Sequence, residues 1–492
     1  MEYSHTPNEM NITSEVGISY SLEPYAPGAD HTWSSEQILH VYRRLGFGAS
    51  KKILSKHITS SREFISDLIR EAKEQEHTPA PFWAYFALRD YDDFKTDNVE
   101  FIREWRNQAG ADLINKSLKG RLMLFWMNHF VVRHEVHGFA PYLYQYYNII
   151  ERNALGNFKN FVREVGTSNA MLQFLNGFEN RKEAPNENYA RELFELFTLG
   201  EDNGYTQFDI VEAARALTGY NHQDGYGNTI YYNESTHDPS AKTIFGQEGN
   251  WGYQDLIEIL FQERGDIIAK FIVEKVYRNF VNPHISDQVQ KKIIIPLAQK
   301  FVQNDFAITP LMKTLFSSKH FFDPANVGVV IKSPLDLIIQ LTKESDLGHN
   351  KWLVRSMMGW TFHLGQRIFN PPNVAGWPGD KTWINTATLM GRWEMTRKFL
   401  TVIFERNTKV KFVEMARNLS DDSDNPEYVA RAIMDHFMPR KLNDRSHYDT
   451  GIQIFTQELD GAFKWDHVHP RAANPVYHLM LHLITLPEFQ LR

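Results

Sequence analysis

The sequence predicts an all-α protein: a large multi-helix domain with long irregular loops and at most a small β-hairpin. Three observations lead there. Apolar residues recur at helical spacing through most of the chain. Strand-like character is confined to Thr229-Ile230-Tyr231-Tyr232 and some loop ends. Of the 492 residues, 42% are hydrophobic and 23% charged, so a sizeable core can be buried. The 34 Phe, 21 Tyr and 11 Trp make that core ring-rich.

Residues 1–32 are polar and hold Pro, Gly and Asn, the composition of an irregular arm. A first helix begins at Ser34, with Gln37 at capping-box distance, and Gly46 is its expected stop. Helical periodicity then covers residues 60–75, 98–134, 140–165, 187–200, 206–218, 253–282, 286–303, 309–318, 334–344, 350–366, 388–405, 410–418, 426–437 and 474–484. Residues 220–250 are rich in Gly, Asn and Asp and read as a long loop, of a kind that is often functional. Residues 369–385 form a second irregular stretch. The expected organisation is an arm (1–32), a main helical domain (33–405) and a C-terminal helical part (406–492) packed on it, with residues 419–426 and 440–470 polar and peripheral.

Composition excludes some functions. With no cysteine, disulfides, thiolate metal sites and cysteine nucleophiles are absent. The net charge of -7 argues against nucleic acid as a partner. No apolar run approaches the roughly 20 residues of a membrane span. Residues 1–9 lack the basic start and apolar core of a signal peptide, which points to the cytoplasm while leaving export open.

Four segments carry candidate chemistry. The first is Asn186-Glu187-Asn188-Tyr189-Ala190-Arg191-Glu192-Leu193-Phe194-Glu195. Asn186 can cap this helix, and Arg191 can pair with Glu187 or Glu195 one turn away. An exposed face with ordinary ion pairs is the simpler alternative. The second is Arg121-Leu122-Met123-Leu124-Phe125-Trp126-Met127-Asn128-His129-Phe130, apolar nearly all round and so buried, with Asn128 and His129 needing partners there. His134 and His137 follow without a third ligand. The third is Glu234-Ser235-Thr236-His237-Asp238-Pro239-Ser240-Ala241-Lys242, which is a base, an acid and a cation on one loop, or a surface turn held by Asp238-Pro239. The fourth is Asn370-Pro371-Pro372-Asn373-Val374-Ala375-Gly376-Trp377-Pro378-Gly379, a rigid turn whose Trp377 walls a pocket or plugs the core.

These segments, with residues 40–48, 152–158, 170–177, 213–219 and 486–490, resemble the bacterial family called domain of unknown function 1800. The matches run in order through most of the chain. Many relatives carry His where Phe197 stands and Trp where Tyr220 stands, and relatives often bear an export signal. The genes of that family often neighbour those of a sulfatase-like family, which implies a shared pathway. The resemblance gathers His129, Asn186, Glu187, Arg191, Glu192, Glu195, His237, Asp238 and Lys242 as the pattern's polar residues. It implies one cavity lined by two helices and a loop.

The expected catalytic set is therefore His129, Glu187, Arg191, Glu192, Glu195, His237 and Asp238. His129, Glu192, Glu195 and His237 would be ligands to a divalent metal. Such a site performs metal-dependent or acid–base hydrolysis, with Arg binding an anionic substrate. The alternative is a non-catalytic binding or assembly protein whose polar cluster is a structural ion-pair network. Haem on His129 ranks third.

Overall fold

The computed structural model describes residues 17–27, 33–54, 58, 60–222, 225, 227–405, 409–442, 444–459 and 464–492. Most of the expected arm and the expected boundary at 405/406 touch residues outside that set. Among these residues the architecture is helical, with two small antiparallel hairpins. Tyr220–His222 pairs with Ile230–Tyr232, close to the expected strand. Lys242–Ile244 pairs with Gln247–Gly249, a second hairpin that the loop reading of residues 220–250 did not contain.

Capping explains most helix starts. Ser34 and Gln37 form the anticipated reciprocal cap of Ser35–Gly46. The helix ends at Gly46, but the left-handed cap falls one residue later. Phe47 takes the left-handed conformation instead, at φ 65°. Its buried ring is covered by the Arg121 guanidinium, 3.6 Å away, and cation–π packing offsets the backbone strain.

The long apolar span 98–134 is not one helix. It divides into Phe94–Asn115 and Ser117–His129, with Ser117 at φ 41°, followed by the short turn His134–His137. Gly120 lets the two longer helices fold back closely, because a Cβ there would lie 2.9 Å from the Asp112 carbonyl oxygen. Ser117–His129 then runs through the core. Trp126, 1% exposed, meets the rings of Phe130, Phe158 and Phe161. That ring cluster fixes the orientation of the neighbouring Asn128 and His129.

Residues 187–200 are helical as expected, but in two forms. Asn188–Glu192 is α-helical and Leu193–Thr198 is a π-turn. The Leu199 amide reaches back five residues to the Phe194 carbonyl, 2.7 Å away. Such widened turns are rare and concentrate at functional positions. Against this turn packs Tyr253–Phe280, a long helix bent at Arg264 (φ -129°, ψ 15°).

The helix Pro334–Ser345 starts at a reciprocal cap between Ser333 and Asp336. The end of the chain returns to it: Lys332 N–H donates to the Gln490 carbonyl and Arg492 N–H to the Val330 carbonyl. This pairing sets Arg492 beside Asp336. The C-terminal helices Lys409–Leu419, Pro426–Phe437, Arg445–Gln457 and Ala473–Leu483 pack on one another and on Thr386–Glu405. The Arg445–Gln457 helix lies inside a stretch that polarity marked as peripheral. Among the described residues, no helix is long and apolar enough to cross a membrane.

Candidate functional site

A cavity of about 400 Å³ opens where the Ser117–His129 helix, the Tyr253–Phe280 helix, the start of Pro334–Ser345, the turn 375–383 and the chain's last residue meet. The motif around Asn128 and His129 and the turn around Trp377 thus line one space, although 248 positions separate His129 from Trp377 in sequence. A larger hollow of about 710 Å³ lies between residues 204–209 and 261–267. Its buried acid, Asp209, is already committed to the Thr206 cap and the Phe245 amide. The smaller cavity is the better site, because polar groups converge on it.

His129 is buried, and both ring nitrogens are engaged. Nε2 lies 3.1 Å from the Phe197 carbonyl, and Nδ1 lies 3.1 Å from the Lys275 Nζ. The carbonyl can only accept, so Nε2 carries the proton and Nδ1 accepts from lysine. Burial and the neighbouring Lys275 charge push the imidazole pKa well below its usual range, so the ring is neutral. Neither nitrogen is left for a metal or haem. Lys275 also donates to the Leu196 carbonyl at 3.2 Å, and its amine lies 4.7 Å from the Phe271 ring centre. Burial pushes its pKa down to about 8. The π-turn supplies both carbonyls, near the carbonyl end of that helix where such groups lack helical partners.

Asn128 holds the opposite wall. Its Oδ1 accepts the Trp377 amide at 2.6 Å, and its Nδ2 donates to the Trp377 carbonyl at 3.2 Å. Trp377 is thereby a cavity wall as well as a buried ring, 5% exposed.

The remaining wall is charged. Arg121, Lys275, Arg278 and Arg492 line the cavity against Asp336 and Asp380. Arg121 pairs with Asp336 through Nη1, and Arg492 Nε lies 3.5 Å from the other carboxylate oxygen. Burial opposes ionisation of Asp336, but Arg121 and Arg492 hold its pKa well below the carboxylate range. Burial pushes Arg121 down to about 9.

The other expected residues lie in two separate networks. Arg191 pairs with Glu187 at 3.0 Å and Glu195 at 3.4 Å, and Gln207 bonds to both Arg191 and Glu187. The Arg191 and Glu187 side chains are 37% and 39% exposed, so these are surface pairs. Asn186, just before the Glu187 N-cap, accepts the Asn188 amide. Glu192 is half-buried, and burial with nearby Glu195 raises its pKa.

His237 bonds to Thr218, and Asp238 pairs with Arg215 at 2.7 Å. Lys242 braces the turn by donating to the Asp238 and Ser240 carbonyls. This is the turn reading of the loop. No side-chain hydrogen bond or ion pair links either network to His129 among the described residues. The expected quartet His129, Glu192, Glu195 and His237 is thus not brought together as ligands: His129 is held by Lys275 and the Phe197 carbonyl, Glu195 by Arg191, and His237 by Thr218. Among the described residues, no three His, Asp or Glu are placed to hold a metal ion.

Sequence reasoning missed Lys275, Asp336, Arg278 and Arg492. Lys275 left one trace, a lysine among the buried Ile272, Val273 and Val276 of a long helix.

The fold and cavity define an all-α protein with a cation-lined site in its core. The chain belongs to the family described as protein of unknown function DUF1800, whose model matches residues 40–491. No curated protein and no solved structure matches.

Proposed function

We propose that the cavity is the substrate site of an acid–base hydrolase in which Lys275 is the general base and His129 positions it. One observation carries the reading: a lysine amine at the cavity wall, held by two acceptors, His129 Nδ1 and the Leu196 carbonyl. Two of its N–H groups are fixed, which leaves one tetrahedral position for the cavity. That position bears a lone pair when the amine is neutral. Burial makes the neutral form accessible near neutral pH. The amine takes a proton from a water as its oxygen bonds to the electrophilic centre, then returns the proton to the leaving group. The cationic wall suits an anionic substrate.

The test is hydrolysis of 4-nitrophenyl phosphate, sulfate and carboxylate esters by the full chain. Lys275→Met should lower kcat/KM by about 100-fold or more. The wild-type rate should rise with pH through about 8, because the base acts unprotonated. A wild-type protein inert toward all three ester classes, or a rate indifferent to Lys275→Met, overturns the reading.

A second reading rests on the same bonds. His129 and Lys275 meet the Phe197 and Leu196 carbonyls at the end of the π-turn, where a cation also complements the helix dipole. In a binding protein that is their whole role. Lys275→Met would then destabilise the fold with no turnover to lose, which thermal melts beside the ester assay decide.

A further inference from the structure

The cationic wall carries more charge than its own partners neutralise. Arg44, Arg121 and Arg492 are 0%, 3% and 4% exposed. They gather around one carboxylate, Asp336, also 3% exposed. Arg44 lies close enough that the charges of Arg492 and Arg121 both bear on it. Each guanidinium has five N–H donors and ordinarily spends them when buried. Here Arg44 Nε and Nη1, Arg121 Nε, and Arg492 Nε and Nη1 have no hydrogen-bond acceptor. Arg492 Nε is within ion-pair range of Asp336, at 3.5 Å, but makes no hydrogen bond to it.

The bonds these arginines do make go mainly to backbone. Arg44 donates to the Asn326 carbonyl, Arg492 to the Asn279 carbonyl, and Arg121 to the Arg43 carbonyl and Asp336. Uncompensated buried charge and unpaired buried donors are both costly. Fork-shaped donors of this kind match a planar or tetrahedral oxyanion.

We propose that this wall is an oxyanion subsite, in which Arg121 and Arg492, backed by Arg44, hold a phosphate, sulfate or carboxylate group of the ligand. The proposal rests on the cavity being the ligand site, but not on Lys275 chemistry. The surplus of two positive charges among these four side chains is the demand that a bound dianion would meet. Asp336 sets the spacing of the guanidinium groups and lowers the affinity by its own charge.

The test is thermal stabilisation and calorimetric titration of the full chain with inorganic phosphate, sulfate and acetate. Ionic strength is held constant with chloride. Saturable binding of phosphate or sulfate is expected, with acetate the preferred arm if the ligand group is a carboxylate. Arg121→Gln should weaken it by about tenfold or more. Asp336→Asn should tighten it, a change of opposite sign that does not depend on Arg121→Gln folding. Failure of all three anions to bind beyond chloride overturns the proposal, as does weaker binding in a folded Asp336→Asn. Anion binding equal in wild type and Lys275→Met, without ester turnover, supports this subsite and sinks only the hydrolase reading. Turnover without anion binding does the reverse.

Discussion

Replacing Asn128 with alanine tests whether the wall of the cavity is held by one side chain. Asn128 makes a two-point contact with the Trp377 backbone, accepting from the amide at 2.6 Å and donating to the carbonyl at 3.2 Å. Alanine removes both bonds. The Trp377 amide is enclosed, and stranding it costs about 1–3 kcal/mol. Trp377 lines the cavity, where water can replace the donor lost to its carbonyl, so that share is about 0.5–1 kcal/mol. The sum is about 1.5–4 kcal/mol.

The assay has two parts. Urea unfolding followed by tryptophan fluorescence should show a lower midpoint at unchanged slope. Hydrogen exchange at the Trp377 amide should lose its protection, which localises the damage. A stability change under about 0.5 kcal/mol with Trp377 still protected would refute the argument, because the turn would then be held by its Pro and Gly content alone. Asn128→Asp sharpens the point. It keeps the acceptor for the amide but turns an oxygen toward the carbonyl, so the exchange effect should be partial.

Gly376→Ala should disrupt the same turn from the other side: at φ 89° a Cβ would lie 2.7 Å from the Asn128 carbonyl oxygen and clash with its amide oxygen, so a loss of about 2 kcal/mol or more is expected in the same unfolding assay. Arg191→Ala and Glu192→Gln should each change stability by under about 1 kcal/mol in thermal melts, because the Arg191 pairs are surface pairs. A larger loss would revive the structural-network reading of that helix. Asp238 supplies a pH prediction. Burial opposes its ionisation, but Arg215 and the Ser240 amide hold its pKa down to about 2. Its contribution, about 2 kcal/mol, is present above the unfolded value near 4 and is lost as pH falls through about 2. Arg215→Gln should therefore flatten the stability profile between about pH 4 and pH 2.

Helix identity was legible because it is a local property. Ser34 with Gln37 forms a cap where short-range patterning places it. Breaks were less legible. The turn at Ser117 falls inside an apolar run, and what permits it is Gly120 lying against Asp112 on the preceding helix. The π-turn at residues 193–198 leaves the apolar periodicity almost unchanged, so spacing could not separate it from an α-helix.

The candidate site divides in the same way. Asn128, His129 and Trp377 stood out as polar or aromatic groups in segments that resemble the family, and they do line one cavity. The Arg191 and Asp238 groups stood out equally, yet each is satisfied within its own neighbourhood.

From the sequence alone follow the helical class, the burial of the helical segment that begins at Arg121 and the need of Asn128 and His129 for partners, because burial periodicity and capping act over a few residues. Tertiary structure alone decided those partners. Lys275, Trp377, Asp336 and Arg492 reach the cavity from helices, a turn and a chain end far apart in sequence. A lysine or arginine at such a position looks like any solvated charge until packing takes its water away and sets a second charge beside it.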